Sequence, residues 1–210
     1  MTKEEEKHLT LKLSILIPTL NERWNKFAPL VDNLITQGEE AGYKFIYDFE
    51  IIAPMDNRRS NVGNKRNICL DMANGDFTVF IDDDDQVADD YVKSILDAIT
   101  NNPNIDAIGF KGKYYVNGEF RKGIWHSKRW RVYSENETHY LRYPNHLNPI
   151  HSNITKRYRF NTEGDRAQCG EDYDWATAIH INNEIKNEYF IDKCMYHYYF
   201  DTKLTATQLK

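Results

Sequence analysis

The apolar positions of the first half of the chain follow two periods in alternation. Residues 11–17 are a short apolar-rich run closed by Pro18, which predicts a strand followed by a turn. Residues 21–42 carry Phe27, Leu30, Val31, Leu34 and Ile35 at helical spacing, and Gly42 is a natural stop. Residues 49–53 predict a second short strand, closed by Pro54. Residues 64–73 place Ile68, Leu70, Met72 and Ala73 on a second helix, which Asn74-Gly75 ends. The run Phe77-Thr78-Val79-Phe80-Ile81 has the length and the β-branched and aromatic content of a buried strand. Residues 89–101 set Val92, Ile95, Leu96 and Ile99 on one face of a third helix, and residues 107–110 predict a fourth strand. This alternation predicts an α/β fold, a mostly parallel sheet with right-handed crossovers.

The second half is less regular. Between residues 110 and 143 aromatic positions crowd together, among them Tyr114, Tyr115, Trp125, Tyr133 and Tyr140, with basic residues between them. Such a stretch fits antiparallel strands, whose half-buried faces favour aromatic residues. Flat rings also suit the C–H faces of sugars, and basic-aromatic interleaving also occurs where single-stranded nucleic acid binds. Residues 173–185 predict a last helix with Trp175, Ala178, Ile179 and Asn182 near one face. Glu171 and Asp172 then fall at its N-terminus, where the helix dipole favours anions.

Composition narrows the function class. The chain has 210 residues, room for one domain of ordinary size or two closely fused halves. With 40% hydrophobic and 28% charged residues it fits a soluble globular protein, and a net charge of −5 disfavours a broad nucleic-acid-binding face. Cys69, Cys169 and Cys194 are far apart and form neither a disulfide framework nor a zinc pattern, so they are expected to be reduced, buried thiols. Residues 1–10 are too charged for a signal peptide, and no apolar stretch approaches the roughly 20 residues of a membrane span. The expected location is therefore cytoplasmic.

The chemistry concentrates at Asp82-Asp83-Asp84-Asp85, directly after the buried strand. Four adjacent carboxylates repel one another, so such a cluster usually has a cation to hold. Hard oxygen ligands select Mg²⁺, Mn²⁺ or Ca²⁺ over zinc. Strand ends of an α/β sheet are where such folds bind ligands, and a metal there is suited to neutralising a diphosphate. A second carboxylate group, Glu171 and Asp172, is available to accept a proton from an attacking hydroxyl.

Four segments, in this order, resemble the family 2 glycosyltransferases of the GT-A fold. They are Ser14-Ile15-Leu16-Ile17-Pro18-Thr19-Leu20-Asn21-Glu22, then Gly63-Asn64-Lys65-Arg66-Asn67 with Ala73-Asn74-Gly75-Asp76, then Phe80-Ile81-Asp82-Asp83-Asp84-Asp85, and Gly170-Glu171-Asp172-Tyr173-Asp174. The resemblance covers about residues 13–200. It implies a Rossmann-like, mostly parallel sheet flanked by helices, with a smaller antiparallel acceptor-side region. It implies a charged tail at residues 1–10, a nucleotide-sugar-binding half at 11–112 and an acceptor-binding half at 113–210, within one domain.

The resemblance also implies a function. The chain would move a sugar from a nucleoside diphosphate sugar, UDP-linked by family habit, to a hydroxyl of a glycan or other acceptor, with inversion and with Mn²⁺ or Mg²⁺. Asp84 would contact the metal, with His197 as a further ligand. Asp82 would face the ribose or support the metal, Asp83 is grouped with the donor-binding residues or points away, and Asp85 lies behind. Thr19, Glu22, Asp56, Lys65 and Arg66 would bind the nucleotide sugar, although Ala53-Pro54-Met55-Asp56 departs from the family's usual strand ending. Asp172 would be the base, with Glu171 orienting the acceptor and His146 near substrate. No nucleic-acid partner is implied.

Two alternatives come from other classes. Asp83-x-Asp85 fits the short nucleophile pattern of haloacid-dehalogenase-type phosphohydrolases, but that pattern belongs on an opening strand. A non-catalytic metal- or sugar-binding module is the other, although Val87 and Lys93 stand where a calcium loop needs glycine and a bidentate acid.

Overall fold

The computed structural model describes residues 11–167 and 169–202, so the charged 1–10 tail lies outside the described residues. The elements are β1 (Leu13–Leu16), β2 (Thr19–Leu20), a 3-10 turn at Asn21–Arg23, α1 (Trp24–Glu40), β3 (Phe49–Ile52), β4 (Met55–Asp56), α2 (Val62–Met72), β5 (Phe77–Phe80), β6 (Gln86–Val87) and α3 (Tyr91–Asn101). They continue with β7 (Ala107–Val116), β8 (Glu119–His126), β9 (Ser134–Glu135), β10 (His139–Arg142), β11 (Ile150–His151), α4 (Ser152–Thr155), a 3-10 turn at Asp165–Ala167, α5 (Glu171–Ile181) and β12 (Glu188–Phe200).

Strand β1 lies between β3 and β5, parallel to both. The short β11 joins β5 to β7, antiparallel to each. Strands β8 and β12 pair with the same stretch of β7, one antiparallel and one parallel, so they flank it. Beyond β8 comes β10, parallel to it, and then β9. The result is a mostly parallel sheet in its first half, flanked by helices, with antiparallel pairing concentrated in the second. A separate parallel pair, β2 with β4, continues the ends of β1 and β3 toward the ligand side.

Alternation along the strands assigns the two cores. Leu13, Ile15, Ile17, Phe77, Val79 and Ile81 face one side and pack with Phe27 and Leu34 of α1 and Val92, Ile95 and Leu96 of α3. Leu16, Ile52 and Phe80 face the other and pack with Cys69 and Leu70 of α2, Phe160, and Trp175 and Ile179 of α5. Two helical layers therefore sandwich the sheet, and the strand ends between them are left open for chemistry.

Several elements differ from expectation. The second helix starts earlier, at Val62, because the Asn61 side chain accepts from the Asn64 N–H and caps it. Its buried face runs through Arg66, Cys69, Leu70 and Ala73, leaving Ile68 and Met72 exposed. The fourth strand runs to Val116 rather than ending at 110, and turns into β8 through Asn117 and Gly118, both at positive φ (51° and 84°). That Asn-Gly pair suits a tight hairpin turn. The last helix begins at Glu171 and ends at Ile181, so both acids are part of its first turn. Cys69 is buried as expected, but Cys169 is exposed and Cys194 half-buried; all three are free.

Gly63 lets α2 approach the Asn161 backbone. A Cβ at Gly63 would overlap the Asn161 carbonyl oxygen, a backbone atom that cannot swing aside. Gly63→Ala is expected to destabilise the fold by about 1–3 kcal/mol, read as a lower denaturant midpoint at unchanged slope. A midpoint equal to the parent's counts against this packing.

Candidate active site

The acid cluster leaves β5 as a tight turn, in which the Asp85 N–H donates to the Asp82 carbonyl at 3.1 Å. The turn sorts the four carboxylates. Asp83 and Asp85 are buried, whereas the side chains of Asp82 and Asp84 keep 26% and 25% of their surface. Asp83 accepts from the Thr19 hydroxyl and the Arg23 guanidinium, both at 2.5 Å. Asp85 accepts from the Tyr196 hydroxyl at 2.8 Å and the Tyr199 N–H at 2.7 Å, which ties the turn to β12. Burial, and then the charge of Asp82, push the Asp85 carboxyl well above its ordinary range.

Asp83 is thus buried between two partners within the protein. The Thr19 hydroxyl is consumed by the same contact, and its carbonyl accepts from Lys65 Nζ at 2.8 Å. Lys65 is 6% exposed and also pairs with Asp56 at 2.7 Å, while the other Asp56 oxygen accepts the Ser60 N–H at 2.7 Å. Lys65 therefore pins β2, β4 and α2 together instead of reaching out as a surface charge. Glu22 is exposed and pairs with Arg58 across the mouth of this loop.

Arg66 is a buried cation of the site. Its side chain is 5% exposed, lies over the rings of Phe80 and Phe160, and reaches Asp82 at 3.1 Å and Glu171 at 2.8 Å. Burial pushes the Asp82 carboxyl up, but Arg66 and His146 together overcome it and hold the group well below its usual range. Burial raises Glu171 against the pull of Arg66, opposite in sign to what a helix N-terminus alone predicts. Glu171 is therefore the buried partner of Arg66.

His146 stands between the two acid groups. It is 4% exposed, with Nε2 at 3.8 Å from Asp82 and Nδ1 at 3.5 Å from Asp172, and its carbonyl accepts the Phe80 N–H at 2.9 Å. Asp172, on the first turn of α5, keeps 35% of its side-chain surface and faces an adjoining cavity. Gly170, at φ 94°, supplies the left-handed residue that starts α5 in this direction. So His146 stands between Asp82 and Asp172, one ring nitrogen toward each.

His197 is not brought to the acids. Along β12, Tyr196 points at Asp85, and His197 points to the other face, stacked on Tyr115 with Nε2 at 3.8 Å from the Cys194 sulfur. Among the described residues no group of three or more His, Cys, Asp and Glu side chains is arranged to hold a metal. Asp82 and Asp84 are the part-exposed carboxylates of the turn, each beside a guanidinium, Arg66 at 3.1 Å and Arg23 at 3.3 Å. Asp84 is raised by burial and, despite Arg23, by the neighbouring charges of Asp82 and Asp83. Mg²⁺-type ions commonly take one or two carboxylates and complete their shell with water and substrate phosphate.

The family model for glycosyl transferase family 2 matches residues 51–162, just over half of the 210. The chain belongs to this family. Comparison with curated protein sequences finds no match. Among solved structures, S. aureus TarS 1-349 in complex with UDP matches with a TM-score of 0.60 at 17% identity, covering 90% of this chain and 60% of that one. The same protein in complex with UDP-GlcNAc gives 0.58 at 16% identity, covering 90% and 58%. At these identities the likeness shows the fold, and this family 2 chain spans about three fifths of the TarS chains it matches. The matched region 51–162 contains Arg66, the acid turn and His146, and stops before Asp172.

Family membership and the position of the acids, two strand-helix units into the chain, set aside the phosphohydrolase alternative. Among the described residues no helix is long and apolar enough to cross a membrane. Sequence reasoning missed Arg23 and Tyr196 at this site. Arg23 carries a weak signal, a cation beside Glu22 in a chain with an unbalanced acid cluster; Tyr196 carries none, because only the pairing of β12 brings it near.

Proposed function

We propose that this chain transfers a sugar from a nucleoside diphosphate sugar to an acceptor hydroxyl with inversion at the anomeric carbon. The observation that carries this reading is the succession of contacts from Asp82 through His146 to Asp172, with Asp84 in the same acid turn, in a family 2 glycosyltransferase. It separates a diphosphate-side carboxylate pair from a single, open carboxylate by one buried imidazole. That separation matches a one-step displacement, in which donor and base sit on opposite sides of the reacting carbon.

The acceptor oxygen forms a bond to the anomeric carbon as the bond to the diphosphate oxygen breaks, its electron pair leaving with the nucleotide. The acceptor proton passes to Asp172. Asp82, held ionised by Arg66, and Asp84 would hold Mn²⁺ or Mg²⁺, which when bound would stabilise the leaving diphosphate. Arg66 keeps Asp82 oriented, and Thr19, Asp56 and Lys65 shape the loop on the nucleotide side. The TarS complexes with UDP and UDP-GlcNAc support UDP as the nucleotide.

Calorimetry with UDP-GlcNAc and other UDP-sugars, with Mn²⁺ and with chelator, tests the donor side. The parent chain is expected to bind a UDP-sugar only with the metal, and Asp84→Asn to weaken that binding about tenfold or more, the loss of one charge-assisted contact. Undiminished affinity in Asp84→Asn, or equal affinity under chelator, sinks the metal assignment. Metal-dependent donor binding with no turnover under any acceptor supports the non-catalytic module instead.

A further inference from the structure

On the far side of His146 from Asp82 lies an open cavity of about 360 Å³, with Asp172 on its wall. Its other walls are aromatic. Tyr114 of β7 and Tyr198 of β12 stack at 5.4 Å, and Tyr140 of β10 meets Tyr114 edge-on at 5.8 Å. Arg142 lies over Tyr133 and Tyr140, at 4.6 and 4.9 Å, and holds them in place. None of these strands is a sequence neighbour of the others except through long connections, so the chamber is a product of the sheet's second half.

Three buried polar groups on its wall lack a hydrogen-bond partner. His126 is 3% exposed and its Nδ1 has no hydrogen-bond partner; burial brings its pKa down to about 3, so the ring is neutral. The Tyr133 hydroxyl is likewise unpartnered, and both nitrogens of His146 approach Asp82 and Asp172 without completing a hydrogen bond. A buried polar atom left without a partner destabilises the fold unless a ligand supplies one. An alkyl chain or an aryl group would leave all of them unsatisfied. A pyranose ring offers flat C–H faces to the tyrosines and hydroxyls, which both donate and accept, to the imidazoles. The volume suits a small ligand of this size class.

We propose that this chamber binds the acceptor, and that the acceptor is a saccharide whose terminal pyranose ring sits among Tyr114, Tyr140 and Tyr198 with one hydroxyl at Asp172. This rests on the transferase reading and names its acceptor class. It places a lipid alcohol or a bare serine side chain outside the class the site selects.

Saturation-transfer NMR on the full chain, with a panel of methyl hexopyranosides as probes and UDP with Mn²⁺ as a separate probe, tests it. At least one glycoside is expected to receive saturation at its ring protons, and Tyr140→Ala to weaken its binding about tenfold, the worth of one stacking face. Tyr140→Phe keeps the ring and is expected to retain binding, which separates loss of the face from loss of folding. UDP binding is expected to be the same in all three proteins. UDP bound with no glycoside bound overturns the saccharide chamber while leaving the donor reading intact. Glycoside displaced by UDP also overturns it, because the cavity then belongs to the nucleotide. Glycoside bound through Tyr140 without any UDP binding upholds the chamber and removes the transferase reading instead.

Discussion

Asp172→Asn is expected to lower donor turnover, measured as nucleotide release, about 10³-fold at unchanged donor affinity. Asparagine keeps the size and the contact distance to His146 but cannot take a proton. Asp172 is the open carboxylate beside His146, whereas its neighbour Glu171 is buried against Arg66. The loss therefore belongs in kcat, since the base acts only on the incoming hydroxyl. Turnover and calorimetric donor affinity measured on the same preparation separate the cases. Near-parent turnover in Asp172→Asn defeats the assignment, and so does a donor-affinity loss as large as the loss in turnover. Glu171→Gln serves as a control for position: it alters the partner of Arg66 and is expected to act on stability before it acts on proton transfer.

Arg66→Met is expected to cost about 3–5 kcal/mol of folding stability, because it leaves Asp82 and Glu171 without the cation buried between them. Methionine fills most of the space over Phe80 and Phe160, so the loss reports charge rather than a cavity. Against a typical domain stability of about 5–15 kcal/mol, that is a large fraction. Chemical denaturation of Arg66→Met, Glu171→Gln and the double variant forms a cycle. The double variant is expected to be more stable than the sum of the single effects, since removing Glu171's charge relieves the orphan that Arg66→Met creates. A loss under 1 kcal/mol in Arg66→Met, or strict additivity, would falsify the buried-pair account.

The same pair of residues shows where reading the chain alone stops. Lys65 and Arg66 sit side by side on a helix and look like phosphate ligands or ordinary surface charge. In the fold both are buried, one fastening Asp56 and Thr19, the other joining Asp82 to Glu171. Helical periodicity carries no sign of this, because α2 is turned so that its charged positions, rather than Ile68 and Met72, meet the sheet. Asp83 takes the inward of the two placements expected for it, and His197 lies away from the acid turn. Each has a local setting that suits a ligand, an acid cluster in one case and an aromatic strand near the chain end in the other. The partners that claim them, Thr19 and Arg23 for Asp83 and Tyr115 and Cys194 for His197, are set by loop and strand packing. The outward placement of Asp82 and Asp84, like the inward one of Asp83, follows the two-residue alternation, which persists through the turn.

The order of the main strands and helices up to residue 110, the mostly parallel sheet they build and the acids at the end of β5 were determined by the sequence itself, because periodicity, turn residues and adjacency are local properties. Which carboxylates stay open, and the convergence of His146, His126 and four tyrosines beside Asp172, were decided only by the tertiary structure. Those groupings depend on β7, β8, β10 and β12 assembling from distant segments, and on burial that forces each charge to find a partner; neither leaves a mark on neighbouring residues.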